Sequence, residues 1–319
     1  NVPVGIAAAL LIGLTLHESF ERRSHQLDWV GTLTLTGGVA ALLLGVSEGS
    51  RIGFGDPSVI GLLVGALVLL VIFGRSERNA AEPLIDPRLV RRPIVAAGLA
   101  IGTLAGVIMF GVTAYLPPVV QGVYGGSPLE AGIAVAAMSL SWPVASIVAG
   151  RTMLTFGSRP IVLAGTAFLV LGGALLTAVA SVHSLWFAAL GAAVVGAGMG
   201  LITTPVLVSI QTVVAWQQRG QATGLVQFSR TIGGAVGTGL MGAILASAVG
   251  PRASAILDPI ARTDLPASLI AETRTALAGG LTWIFAIMLV TSALACLLAI
   301  RFMPAVHVGR ESAEAVTAG

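Results

Sequence analysis

The chain has 319 residues, 55% hydrophobic and 10% charged, with a net charge of +3. An average soluble domain carries roughly 25% charged residues, and seventeen basic plus fourteen acidic side chains cannot clothe a water-facing surface of this size. That excludes a cytosolic enzyme, a disulfide scaffold and a disordered chain, and Cys296, the single cysteine, permits neither an internal disulfide nor a cysteine metal site. The composition is that of a polytopic membrane protein. All seventeen basic residues are arginines, grouped in short clusters between apolar runs, so there is no basic stripe for a nucleic acid.

The chain opens Asn1-Val2-Pro3-Val4-Gly5, without an initiator methionine or a charged leader, which is not a signal peptide. It reads as though cut from a longer protein. A spanning helix needs about 20 apolar residues. A short first segment covers Val4–Leu16. Eight fuller ones follow at Leu27–Val46, Pro57–Phe73, Ile94–Tyr115, Leu129–Ala149, Ile161–Val182, Leu185–Ile210, Leu225–Val249 and Leu281–Ile300. Their continuity predicts helices, not the ten-residue alternation of barrel strands.

Several segments begin with helix-entry chemistry. Asp56-Pro57 and Ser127-Pro128 place a capping side chain before a proline at the first helical position, and Asp28 and Ser184 are further caps. Pairs spaced Gly-xxx-Gly, at Gly61/Gly65, Gly98/Gly102, Gly102/Gly106, Gly196/Gly200 and Gly233/Gly237, predict close helix approach. The last outer loop, about 250–280, is expected to hold a short surface helix over Pro266–Ala278.

Arginine placement predicts orientation. Alternate loops divide the arginines into a set of twelve (22, 23, 75, 78, 88, 91, 92, 151, 159, 219, 301 and 310) and a set of four (51, 252, 262 and 274), with Arg230 inside a segment. The richer set is assigned to the cytoplasm, which puts the C-terminus inside and Asn1 outside.

Two motif matches yield to their context. Gly45-Val46-Ser47-Glu48-Gly49 fits the nucleophile elbow but ends an apolar helix, with no strand before it. Gly237-Thr238-Gly239-Leu240-Met241-Gly242 fits the dinucleotide fingerprint but lies inside an apolar helix, so helix packing explains it better. The four histidines show no metal spacing. Ser127-Pro128-Leu129-Glu130 has the spacing of a capping box; the functional alternative makes Glu130 a protonatable carboxylate at the outer mouth. No Asp or Glu falls in the middle of any segment, whereas ion-coupled pumps keep a buried carboxylate. A coupling acid must therefore lie at a helix end or outside the chain.

Taken together, these features resemble the fourteen-helix drug:proton antiporter branch of the major facilitator superfamily. Asn-Val-Pro-Val-Gly resembles the start of that family's helix six, and Leu27-Asp28-Trp29-Val30-Gly31 the start of helix seven. Glu82-Pro83-Leu84-Ile85-Asp86 with Arg88-Leu89-Val90-Arg91-Arg92 resembles the amphipathic stretch before helix nine. Ser127 to Gly132 resembles the entry to helix ten. Arg219-Gly220-Gln221-Ala222-Thr223-Gly224, followed by Arg230, Gly233, Gly234 and Gly237, resembles helix thirteen. The likeness covers essentially the whole chain in order. In the loop that resembles Gly-Arg-x-x-Asp-Arg-x-Gly-x-Arg, Gly150, Arg151, Gly157 and Arg159 are present, but Leu154 and Thr155 occupy the Asp and Arg positions.

The resemblance implies an all-α major-facilitator-type bundle lacking helices one to five. Residues 1–16 would be a remnant of helix six, 17–26 a cytoplasmic loop, and 27–74 two extra linker helices. A cytoplasmic amphipathic loop at 75–92, a six-helix C-terminal bundle at 93–304 and a cytoplasmic tail at 305–319 would follow. It implies proton-coupled efflux of drugs or other amphipathic organic compounds across a bacterial cytoplasmic membrane by alternating access; such a chain is a secondary active transporter and not an enzyme. Mapped onto this sequence, the cavity candidates are Met109, Tyr115, Met138, Trp142, Thr204, Gln211, Gln227 and Arg230, and the coupling or gating candidates are Arg230, Glu130, Arg151 and Arg159. The expected partners are a small amphipathic substrate, protons and the lipid bilayer. No cofactor, catalytic residue, metal or nucleic acid is expected, and the oligomeric state is left open with a monomer as the expectation. The competing readings are a non-transporting membrane structural or receptor subunit, and an exporter of one endogenous metabolite.

Overall fold

A computed structural model describes residues 2–15, 28–79, 83–250 and 266–304. Helices run α1 (Val2–Thr15), α2 (Trp29–Ile52), α3 (Pro57–Ser76), α4 (Pro87–Val90), α5 (Pro93–Pro118), α6 (Pro128–Phe156), α7 (Ser158–Thr177), α8 (Val179–Val182), α9 (Leu185–Thr212), α10 (Arg219–Val249) and α11 (Ala267–Phe302). Among the described residues, eight helices are long and apolar enough to cross a membrane, while α1, with no buried residue, is a shorter apolar helix. The fold class is thus all-α, as the hydropathy predicts.

Entry chemistry sets the helix starts. Asp28 accepts from the Gly31 amide at 2.8 Å and Asp56 from the Ser58 amide at 2.8 Å. The Ser58 hydroxyl and amide together hold the Asp56 carboxyl below its ordinary range. Ser184 accepts from the Phe187 amide. At the turn between α6 and α7, Gly157 has φ 80°, a backbone state that side-chain-bearing residues rarely adopt. This accounts for a glycine at that point of the Gly150–Arg159 loop.

Several boundaries differ from the hydropathy reading, each for a local reason. α5 passes Tyr115 and takes in Pro117 and Pro118, then continues as a π-helical turn over Val119–Val123. The two prolines remove two amide donors, and the wider turn absorbs the loss. The segment expected over Ile161–Val182 breaks at Ala178, and α8 ends on His183 in the left-handed conformation. α10 begins at Arg219, not at Leu225, because the polar residues of its first turns are partnered. Thr223 bonds the Arg219 carbonyl and receives Gln211, and Gln221 reaches the carbonyls of Pro83 and Leu84.

The largest correction concerns the separate surface helix expected over Pro266–Ala278. The described residues from Ala267 form one 36-residue helix with the membrane segment. At 1.5 Å per residue that is roughly 54 Å, well beyond a hydrocarbon core of about 30 Å. The Gly279-Gly280 pair does not stop it. A Cβ at Gly280 would meet Leu245 and Ala248 of α10 at 3.0 and 3.2 Å, so this glycine serves contact between α10 and α11.

α5 and α9 are the most enclosed spans and form the centre of the bundle. α10 packs along α5, α6 and α7 along α9, and α11 against both α5 and α7, while α2 and α3 form a hairpin that touches the rest through α10. Glycine spacing does much of this. A Cβ on Gly106 would be driven into the Arg230 backbone carbonyl, and one on Gly233 into that of Thr103. Gly196 and Gly200 sit against the α6 backbone at Met138 and Trp142 in the same way. Within the fingerprint-like run, Gly237 meets Val107 and Gly239 meets Val46, which is helix packing. Gly61 and Gly65 depart from the pattern, since nothing lies within 4 Å of where their Cβ atoms would be.

Candidate functional site

The concentration of polar and aromatic groups at membrane depth lies between α6 and α10. The Arg230 guanidinium carbon stands 5.2 Å from the centre of the Trp142 ring, and Nη2 donates to Gln227 Oε1 at 2.6 Å. The i, i+3 spacing on α10 brings Gln227 and Arg230 together. Trp142 reaches them from α6, and the flat guanidinium matches the ring face. Beside this group an open groove along α6 is lined by Ser139, Trp142, Pro143, Ser146 and Ile147. This wall combines one cation, one large aromatic, two serine hydroxyls and one amide. It can stack an apolar ring and offer a few hydrogen bonds at fixed positions.

The longer α10 adds a polar lead-in before the apolar run that holds Arg230. Arg230 lies about eleven residues from the helix start, roughly 16 Å along the axis. The apolar run still begins at Leu225, about five residues before Arg230, which keeps the side chain within snorkelling reach of the headgroups. In the structure that side chain is occupied by Gln227 and Trp142.

The other cavity candidates go elsewhere. Gln211 donates to Thr223 Oγ1 at 3.0 Å, nearer the start of α10. Thr204 is half-buried on α9, its methyl opposite Gly150. Met109 is half-buried against the core. Met138 is 4% exposed and packs where α9 approaches through Gly196, so it serves helix contact and not the wall. Tyr115 is likewise buried. Its hydroxyl donates to the Thr238 carbonyl at 2.6 Å, in a separate cavity of about 410 Å³ shared with Ser47 and Ser50 of α2.

The coupling candidates also separate. Glu130 Oε2 accepts from the Ser127 amide at 2.6 Å while Ser127 Oγ accepts from the Glu130 amide at 3.3 Å. The capping box is therefore formed. Arg159 donates to the Ile300 carbonyl at 2.9 Å, tying α7 to the last turn of α11. Arg151 is exposed on α6.

Three residues to which sequence reasoning assigned no contact act as ties. Arg92 bonds the Val213 carbonyl, Gln221 holds the 83–84 backbone, and Glu77, 4% exposed, accepts from the Ile85 amide at 3.0 Å. Nothing in the local pattern marks them, because each partner lies on another element. The sole signal was Glu77 itself, an acid closely following an apolar run.

The architecture and this wall define a polytopic helical membrane protein with a sparse polar surface at membrane depth. The Major Facilitator Superfamily model matches residues 27–238, and the chain belongs to that superfamily. It is 34% identical over 268 residues to the drug efflux pump JefA of Mycobacterium tuberculosis, covering 82% of this chain and 53% of that protein. It is 30% identical over 246 residues to the multidrug transporter protein MdtP of Bacillus subtilis, covering 77% and 46%. Against the tetracenomycin C resistance and export protein of Streptomyces glaucescens the identity is 31% over 257 residues, covering 78% and 47%. The chain spans about half the length of these curated relatives.

Proposed function

We propose that this chain is the C-terminal part of an exporter of drugs or other amphipathic organic compounds, driven by proton entry. The observation that carries the reading is the Arg230–Trp142–Gln227 group on the α6–α10 wall, in a chain whose relatives include a named drug efflux pump and a named multidrug transporter. Transport would proceed by rocking of two bundles around a midplane cavity. α5, α6, α7, α9, α10 and α11 would form one bundle, α2 and α3 the linker hairpin, and α1 a piece of the other bundle. Trp142 would stack the apolar part of a substrate. Arg230 would place a fixed positive charge beside an acid supplied by the other bundle, favouring that acid's ionised form until a proton arrives. The C-terminus is assigned to the cytoplasm from the arginine distribution, and the working unit to a monomer.

A second reading, export of one endogenous compound, is favoured by the relative named for tetracenomycin C resistance and export. One assay tests both. The full-length protein is reconstituted in vesicles with an imposed proton gradient, and efflux is followed for a panel of chemically unrelated dyes and antibiotics. Gradient-dependent movement of several supports multidrug export, and movement of one supports the dedicated reading. Movement of none, with the protein folded, overturns transport of this kind.

A further inference from the structure

We propose that Asp28 and Glu77 form a carboxyl pair that holds one proton between them, a proton-binding site where α2, α3 and segment 83–86 meet. The inference rests on geometry and does not depend on the transport reading. Asp28 caps α2 with one oxygen, Oδ1, on the Gly31 amide. Glu77 caps the end of α3 and has one oxygen, Oε2, on the Ile85 amide. The remaining oxygens, Asp28 Oδ2 and Glu77 Oε1, are both buried and both lack a hydrogen-bond partner. Each comes closer than 3.0 Å to the point where a Cβ on Gly31 would stand, so both lie against the one small space that this glycine leaves open.

Two ionised carboxylates in this position would be desolvated and mutually repelling, with no donor for either free oxygen. A single proton removes the repulsion, supplies the missing donor and leaves one desolvated charge in place of two. The protonated carboxyl donates to its neighbour, one negative charge remains, and both orphaned oxygens are satisfied. Burial already pushes the Glu77 carboxyl above its ordinary range and the Asp28 charge adds to this, although the Ile85 and Leu84 amides pull the other way.

The surrounding charges do not neutralise the pair. Just past α3, Arg78 lines an open cavity with Glu77 and with Arg88 and Arg91 of the α4 region, and Arg75 lies in the last turn of α3. Asp86 is engaged by the Arg88 amide. On α10, Arg219 lies over the Trp216 ring at 4.9 Å. The ion pair among the described residues joins Arg51 to Glu48, at the other end of α2. What the proton secures is a junction. Glu77 seats Ile85, and Gln221 of α10 holds the adjoining carbonyls of Pro83 and Leu84. The protonated pair therefore ties the hairpin to the bundle through one short segment.

The sign follows from linkage. A carboxyl held above its unfolded value binds its proton more tightly in the folded protein. Its contribution is complete below the ordinary carboxylate range and is lost as pH rises through the raised folded value. The test uses the purified full-length protein and the variants Glu77→Gln and Asp28→Asn. Glutamine can accept from Ile85 and donate to Asp28, and asparagine remains a good N-cap, so both imitate the protonated pair. Infrared difference spectra between acid and alkaline pH should contain, in the wild type, a protonated-carboxyl component that titrates above the ordinary range and is missing from both variants. The wild-type thermal midpoint should fall over the same interval, while that of Glu77→Gln stays flat. Absence of that component from the wild type, or its persistence in both variants, overturns the proposal. So does an equal fall of the midpoint in Glu77→Gln.

Discussion

Arg230 stands within an apolar helix with its charge stacked on Trp142 and bonded to Gln227. Lysine keeps the charge but lacks the planar fork and the ring stacking, and a stacked, partly desolvated cation contributes about 1–2 kcal/mol. Arg230→Lys should therefore keep normal membrane abundance and lower proton-driven efflux by roughly tenfold. Undiminished efflux at equal abundance would leave the arginine a packing residue. Glu130 gives the opposite expectation. Its carboxylate is committed to the capping box, a role that glutamine also fills. Glu130→Gln should transport normally, whereas Ser127→Ala should cost about 1 kcal/mol of stability. Loss of coupling in Glu130→Gln with intact folding would restore the carboxylate to the proton path. The cap was legible because a capping box is local, with both partners inside four residues. The Arg230–Trp142 contact was not, since it joins two helices distant in sequence.

Among the elements, the α5–α10 contact depends on missing side chains. Gly106 lies directly on the backbone of Arg230 and Gly233 on that of Thr103, whereas Gly61 on α3 faces open space. Gly106→Ala should lower stability by about 1–3 kcal/mol through overpacking, read as a lower thermal midpoint and reduced efflux. Gly61→Ala should be neutral within about 0.5 kcal/mol. Equal tolerance at both positions would mean that α5 and α10 do not approach so closely. Spacing alone made these glycines look alike, because the Gly-xxx-Gly pattern says which face is smooth and not what lies against it. The helix boundaries show the same division. Hydropathy located every long helix, yet it started α10 late and split α11, because it scores Arg219–Gly224 and Gly279-Gly280 as breaks without regard to the neighbours that satisfy them.

At the scale of the whole molecule, the arginine asymmetry predicts that the 75–92 segment faces the cytoplasm and the loop before α11 the exterior. With Cys296 replaced by serine in the full-length protein, an impermeant thiol reagent on intact cells should label a cysteine at Ser268 and spare one at Ser76; the reverse result would invert the topology. Composition and the long apolar runs by themselves determined that this is an all-helical membrane protein, where its long helices lie and where several of them are capped. Those properties depend on hydropathy and on groups within a turn of one another, and both are written along the chain. Tertiary structure alone decided that Trp142, Gln227 and Arg230 share a wall while Tyr115 and Met138 are packed away from it. It also decided that Asp28 at the start of α2 and Glu77 at the end of α3 bring their unpartnered oxygens to the same glycine, Gly31. The physical reason is that helix rotation and pairing are set by which smooth faces meet, and that is a property of two elements at once.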